Sequence, residues 1–460
     1  MPQLTKRRKA VVATILSVGA TFFFLLCAEA FLKLFFPVPR PSTIGHVSAP
    51  NAILYGWGYH PGEVVWLYDP DSGDRIECRM NNHGWKDRDH DLENRSSAFR
   101  ILILGDSVTF GAIVPTDQTY GYLLEKKMRS AGFNAEVISL GYGGWSTDQE
   151  LEALLNEGVR YRPNLVLNQF CNNDIEENLR GPEEKTLIKP FFYTLDERGD
   201  LRRNVNPSFT YHEQDPLWGR NFFRELLYRS EIYKRIRMAR SVNGFPLKID
   251  HSPSYKITPQ ALGRMSAEIA PDRFSAFREG LKSIVGRETD RSSLEAVIKE
   301  SHLESQSEDI LRMCENRWFQ DIWSIDAYRG TPPDPGSIGW RLYFRLIERL
   351  RDVAAMNGAP FVIFSETDLG SYEWSRFWMR VAPEEQARKN YLAQAKLIEG
   401  FTLQHGIGFV PQVRKYTRAR NDPHANPAGN QAMADDIFDY LISSRRIELE
   451  KFKSPGTQDH

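Results

Sequence analysis

A series of short apolar runs, each followed by a stretch with helical spacing, restricts this chain more than any other feature. Arg100-Ile-Leu-Ile-Leu104 is such a run, ending at Gly105, and Ala135-Glu-Val-Ile-Ser139 is a second. Residues 163–170 supply a third, with helical spacing over 121–131 and 148–158 between them. The pattern resumes late in the chain, with a helix over 340–356 and a strand over 360–364. A helix over 384–405, a strand over 408–410 and a final helix over 427–449 complete it. Short strands that alternate with helices pair in parallel, because each crossover helix must lie on a face of the sheet. The pattern predicts a three-layer α/β/α sandwich around a five-stranded, mainly parallel sheet.

Between residues 181 and 335 the alternation stops. That stretch is polar and irregular, with helical charge spacing from 292 to 318. It reads as an insertion or cap between two parts of the core, 96–180 and 336–449, and residues 450–460 read as a tail.

The N-terminus has a different character. Lys6, Arg7, Arg8 and Lys9 precede an uncharged apolar run over 10–28 that includes Phe22-Phe23-Phe24-Leu25-Leu26. At a rise of about 1.5 Å per residue, such a run spans about 30 Å of hydrocarbon. Basic flanks stay on the cytoplasmic side, which places the bulk of the chain on the extracytoplasmic side. Residues 1–9 are then a cytoplasmic start and 10–36 a single-pass signal anchor. Ala28-Glu29-Ala30 also resembles a cleavage site, whereas the bulky Leu26 before Cys27 disfavours a lipoprotein signal. The apolar character continues through residues 31–36, which favours a retained anchor. Residues 37–95 begin as a Pro, Ser and Gly linker to about Asn51. An extension over 52–95 follows, carrying Trp57, Trp66, Tyr68 and Trp85, and should pack onto the next domain.

Charge excludes some functions. Fifty-nine basic and 60 acidic residues leave a net charge of -1, which argues against a general nucleic-acid binder. Low mean hydropathy excludes a multi-span membrane protein. Four cysteines without a CxxC pair support neither a zinc nor a redox motif, although a Cys78–Cys314 bridge suits an extracytoplasmic domain. His83 and His90 lack a set of partners for a metal.

Four blocks sit where strands end. Gly105-Asp106-Ser107 places a hydroxyl at a strand-to-helix turn, on the sheet edge where open α/β folds bind ligands. Gly141-Tyr142-Gly143-Gly144 allows close backbone approach after the second strand. Cys171-Asn172-Asn173-Asp174 follows the third strand and offers amide donors. Asp422-Pro423-His424 precedes the last helix, where a carboxylate can orient an imidazole base. Taken singly, each block is ordinary capping or turn chemistry. Glu366 and Asp368, after the fourth strand, read as a solvated loop. Tyr372, Trp374, Phe377 and Trp378 read as packing or membrane-facing aromatics, with a ligand rim as the alternative.

In order and placement the four blocks resemble those of the SGNH hydrolases, also called GDSL esterases and lipases, over about residues 76–180 and 336–445. The lead-in Asn82-His83-Gly84-Trp85-Lys86-Asp87 is similar to that of larger membrane-tethered members. The resemblance implies an SGNH/flavodoxin-like fold, with Ser107 as nucleophile, His424 as base and Asp422 as orienting acid. It implies an oxyanion hole made by the N–H of Ser107, the N–H of Gly144 and the side chain of Asn173, with no metal or organic cofactor. Two positions depart from the pattern: Cys171 stands where the family has glycine, and Asn421 where many members have aspartate. The implied activity is hydrolysis of an ester through an acyl-serine intermediate, on a short acyl such as O-acetyl on a cell-envelope glycan. An O-acyltransferase with the same triad and a catalytically silent envelope scaffold are the rivals. The expected partners are the ester substrate and, through the N-terminal helix, a membrane; none is a nucleic acid.

Overall fold

The computed structural model describes residues 6–35, 49–72, 74–181, 189–211, 230, 232, 255–256, 265, 269–281, 288–289, 291–307, 310–311, 332–365, 384–419, 422, 424–444 and 449–453. The chain forms two compact units, Met1–Ser42 with Asp215–Leu247, and Thr43–Gln214 with Lys248–His460.

The first unit is built on one long helix, α1 (Lys6–Phe35). Its segment Val12–Leu32 is long and apolar enough to cross a membrane, a property that signal sequences share. Phe22, Phe23 and Phe24 lie on its surface with most of their area exposed.

The second unit opens with a short helix α2 (Ala52–Tyr55) and an antiparallel hairpin, β1 (Val64–Tyr68) with β2 (Arg75–Arg79). The core follows as β3 (Phe99–Gly105), α3 (Ser107–Phe110), α4 (Tyr120–Ser130), β4 (Ala135–Gly141), α5 (Thr147–Asn156), β5 (Leu165–Phe170) and α6 (Asp174–Glu177). A second hairpin, β6 (Phe191–Leu195) with β7 (Leu201–Val205), comes next. A minor pair follows, β8 (Tyr255–Lys256) with β9 (Glu288–Thr289), together with helices α7 (Pro271–Leu281) and α8 (Arg291–Glu300). The core ends with α9 (Ile338–Met356), β10 (Phe361–Ser365), α10 (Glu384–Gln404), β11 (Gly408–Val410) and α11 (Pro427–Ser443).

Five strands form one parallel sheet in the order β11-β10-β5-β3-β4. Alternation along each strand explains the layering. Leu102 and Leu104 point into a core shared with α5, α9 and α10, while Ile101 and Ile103 point into one shared with α4 and α11. The expected α/β/α sandwich is therefore present, with all five predicted strands in it. After β3 the chain crosses to β4 on one side and then to β5 on the other, so the crevice between them opens at the C-terminal ends of β3, β4 and β5.

The extension over 52–95 packs into the first core as the aromatic residues suggested. Trp85 stacks on Tyr142 with ring centroids 4.5 Å apart, and its indole N–H donates to Glu157 at 2.9 Å. Trp57 donates to the carbonyl of Gly143 at 3.0 Å, and Gln149 to that of Tyr55 at 2.6 Å. Each fully buried aromatic contributes about 1.5–3 kcal/mol, and together they brace the glycine block from behind. Of the stretch 181–335, the β6–β7 hairpin belongs to the main core, where Phe191, Tyr193 and Leu195 are buried. Residues between Met265 and Leu311 close a smaller apolar cluster of their own. Cys78 is buried as a free thiol, and Cys314 lies outside the described residues.

His90 has a structural place. Its ring nitrogens meet Glu136 at 2.8 Å and Asp87 at 3.1 Å. Arg100 donates to Glu136 at 2.7 Å, and the N–H of Ser139 to Asp87 at 2.8 Å. Burial works against the imidazolium, but the two carboxylates prevail and raise His90 from 6.5 to about 9, with Arg88 opposing them. A folded-state value above the ordinary one means this stabilisation is complete below pH 6.5 and fades as the pH rises through about 9. The loss is on the order of 3 kcal/mol. Urea midpoints should therefore fall between about pH 6 and 9.5 in the native chain and stay flatter in His90→Gln. Equal slopes in the two proteins would count against this clamp.

Candidate active site

Ser107 is the first residue of α3, at the C-terminal end of the central strand β3. Asp106 caps that helix, its Oδ1 accepting from the N–H of Val108 at 2.9 Å, and Ser107 Oγ donates to Asp106 Oδ2 at 3.4 Å. Close approach requires glycine beside it. A Cβ on Gly141 would lie 2.7 Å from the carbonyl oxygen of Gly105, so the end of β4 meets β3 there only because Gly141 carries no side chain, while a Cβ on Gly105 would strike Thr109 and Gln169. Gly144 has φ +74°, the left-handed turn that redirects the chain into α5.

His424 arrives from the loop between β11 and α11. Asp422 accepts both from the backbone N–H of His424, at 2.9 Å, and from its ring Nδ1. This makes Nδ1 the N–H donor and Nε2 the basic nitrogen. Burial alone would raise the Asp422 carboxyl, but the charge and hydrogen bonds of His424 outweigh it and hold the group below the usual carboxylate range.

The loop is held from several directions. Ala419 N–H donates to the carbonyl of His424 at 3.2 Å, and Asn426 N–H to that of Thr417 at 3.1 Å. Asn426 caps α11 through the N–H of Gly429. A Cβ on Gly429 would collide with the Thr417 carbonyl oxygen. Asn430 then links the two halves of the site: it donates to the carbonyl of Ala425 at 3.0 Å and accepts from the N–H of Tyr120 at 3.0 Å. The Tyr120 hydroxyl meets Thr109 Oγ1 at 2.7 Å, inside α3. Tyr120 thus ties the His424 loop, through its backbone N–H, to the helix that begins with Ser107, through its hydroxyl.

The two halves also meet electrostatically. Burial pushes the Asp106 carboxyl above its ordinary range, against the combined pull of the Val108 N–H, the His424 imidazole, the Cys171 thiol and Ser107. His424 is therefore close enough to act on the carboxyl that accepts from the Ser107 hydroxyl.

The third block sits at the end of β5. Cys171 N–H donates to Asp174 Oδ2 at 2.9 Å, and Asn172 contacts the Tyr391 hydroxyl of α10. The Cys171 thiol donates to Asn172 Oδ1 at 3.8 Å and also acts to lower the Asp106 carboxyl. The Asn173 side chain lies near Glu177 and acts to lower that carboxyl, while among the described residues its buried Oδ1 has no hydrogen-bond partner.

Acidic groups are gathered around this edge. Glu150 is wholly buried and accepts from Asn168 at 2.5 Å. Burial first, then the mutual repulsion of Glu150, Asp174 and Asp106, holds Glu150 and Asp174 well above the carboxylate range. Carboxyls raised in this way oppose less the negative charge that develops on a nearby reacting oxygen.

Among the described residues, no group of three or more His, Cys, Asp or Glu is arranged to hold a metal ion. Asn421, Glu366, Asp368, Tyr372, Trp374, Phe377 and Trp378 lie outside the described residues. Asp106, Asn430, Tyr120 and Tyr391 went unassigned at the sequence level. Asp106 stood inside a quoted motif, and only the fold reveals the others.

No family model matches the chain, and no curated protein matches it in sequence. Among solved structures, TesA is similar over 74% of this chain and 97% of its own, at 10% identity and a TM-score of 0.30. The lipase/acylhydrolase from Enterococcus faecalis is similar over 74% and 94%, at 11% identity and a TM-score of 0.28. AlinE4, an SGNH-hydrolase family esterase, is 27% identical over 19% of this chain and 46% of its own, with a TM-score of 0.16. Scores this low leave the function to be judged on the geometry of the site.

Proposed function

We propose that the chain is a serine esterase of the SGNH type. One observation carries the reading: Asp422 holds His424 through Nδ1, and Ser107 Oγ donates to Asp106, the carboxyl that the His424 imidazole acts to lower. In the proposed reaction His424 Nε2 takes the proton of Ser107 as Oγ attacks an acyl carbonyl, and Asp422 stabilises the imidazolium. Collapse of the tetrahedral intermediate expels the alcohol, which receives that proton. Water then attacks the acyl-serine by the reverse sequence. The N–H groups of Ser107 and Gly144 and the amide of Asn173 are the proposed oxyanion donors.

Asn173→Ala should lower kcat by about 10²–10³ with little change in KM, because the donor acts on charge absent from the ground state. An unchanged kcat would remove Asn173 from the hole.

The substrate class proposed is a short acyl ester, such as O-acetyl on a cell-envelope glycan, met on the extracytoplasmic side by a domain anchored through α1. The positive charge of residues 6–9 supports that orientation. Purified full-length protein in detergent, given p-nitrophenyl esters of increasing chain length, should prefer acetate and butyrate and release free acid. Preference for long chains would contradict the short-acyl reading. Acyl transfer to added saccharide in place of free acid would make the protein an acyltransferase.

A further inference from the structure

Glu29 is an acidic residue inside an otherwise apolar span, near the C-terminal end of Val12–Leu32. A carboxyl group at that depth is costly unless it is satisfied. Here Glu29 Oε2 accepts from Ser230 Oγ at 2.9 Å and from the N–H of Ile232 at 3.1 Å. Both partners belong to Asp215–Leu247, the stretch that forms one compact unit with Met1–Ser42. Part of the insertion thus returns to the distal end of the apolar helix.

The composition of that stretch is unlike the rest of the chain. It holds seven Lys and Arg against three Asp and Glu, a net of +4 where the whole chain carries -1. Trp218, Phe222 and Leu226 recur at every fourth position. Arg224 follows Phe222-Phe223, Lys234 follows Ile232-Tyr233, and Arg237 stands between Ile236 and Met238. Aromatic and aliphatic groups interleaved with cations are the composition that partitions into a headgroup layer. Cationic residues near an anionic leaflet add an attraction that acts within a Debye length of the surface.

We propose that Asp215–Leu247 is a second membrane-contact element, which binds anionic phospholipid headgroups where α1 leaves the bilayer. The proposal rests on α1 being a membrane anchor. Glu29 is its latch: by accepting from residues 230 and 232 it holds the basic stretch at the level of the headgroups. The anchor keeps the stretch within reach of lipid, so a modest electrostatic attraction is enough to hold it down.

Full-length protein in lipid nanodiscs tests this, because the stretch is rich in trypsin sites. Discs of phosphatidylcholine alone are compared with discs containing about 30% phosphatidylglycerol. Incorporation into both kinds reports on the anchor, and failure in both would defeat that reading instead. With the anchor in place, cleavage within residues 220–240 should be about tenfold slower in the anionic discs, and the difference should vanish in about 0.5 M salt. Glu29→Ala, and separately the triple change Lys234→Gln, Arg235→Gln and Arg237→Gln, should each restore cleavage at the remaining sites in anionic discs. Equal cleavage in the two lipids at low salt would overturn the proposal. Equal protection in both lipids and in detergent would also overturn it, because the stretch would then be covered by protein.

Discussion

Ser107→Ala should reduce kcat/KM for a short p-nitrophenyl ester by about 10⁴–10⁶, a loss of roughly 5–8 kcal/mol of transition-state stabilisation. The hydroxyl has one hydrogen bond of consequence, at 3.4 Å to Asp106, and the cap of α3 is supplied by Asp106 instead. Stability should therefore change by less than about 1 kcal/mol. Thermal melts of the two proteins separate the cases: lost activity with an unchanged midpoint identifies a nucleophile, and lost activity with early unfolding does not. Equal rates would remove Ser107 from the mechanism.

His424→Ala should cost about as much, and the double variant with Ser107→Ala no more than either alone, because a nucleophile and its base act as one unit. Losses that multiplied would mean that the two residues contribute separately. The fold should survive this change as well, since the His424 loop is held by its backbone bonds to Thr417 and Ala419 and by Asn430. Asp422→Asn is a graded control. It keeps the shape but favours the wrong tautomer, with an expected loss of about 10⁴.

The parallel sheet was legible because its strands are buried on both faces, and continuous apolar runs such as Ile101 to Leu104 announce this directly. Helix ends were less so. The final helix, expected to run to 449, stops at Ser443, and Leu449 to Phe452 form a separate turn. There Phe452 packs on Phe99 and its carbonyl accepts from Asn134 N–H, contacts that no local pattern encodes. The β6–β7 hairpin was overlooked although Phe191, Tyr193 and Leu195 alternate and Gly199 turns with φ +79°. Its two-residue period is short and sits among irregular polar sequence.

At the site, Ser107 and His424 stand in local motifs and could be read off. The chain Asn430–Tyr120–Thr109 could not, because it joins distant parts of the sequence. The raised carboxyls of Glu150 and Asp174 likewise depend on burial and on neighbours that only folding brings together.

Covalent capture tests the central claim most directly. Full-length protein treated with a fluorophosphonate and digested should yield one modified peptide, with the adduct on Ser107 and labelling lost in His424→Ala. An unlabelled native protein, or an adduct on any other residue with Ser107 untouched, would contradict the account.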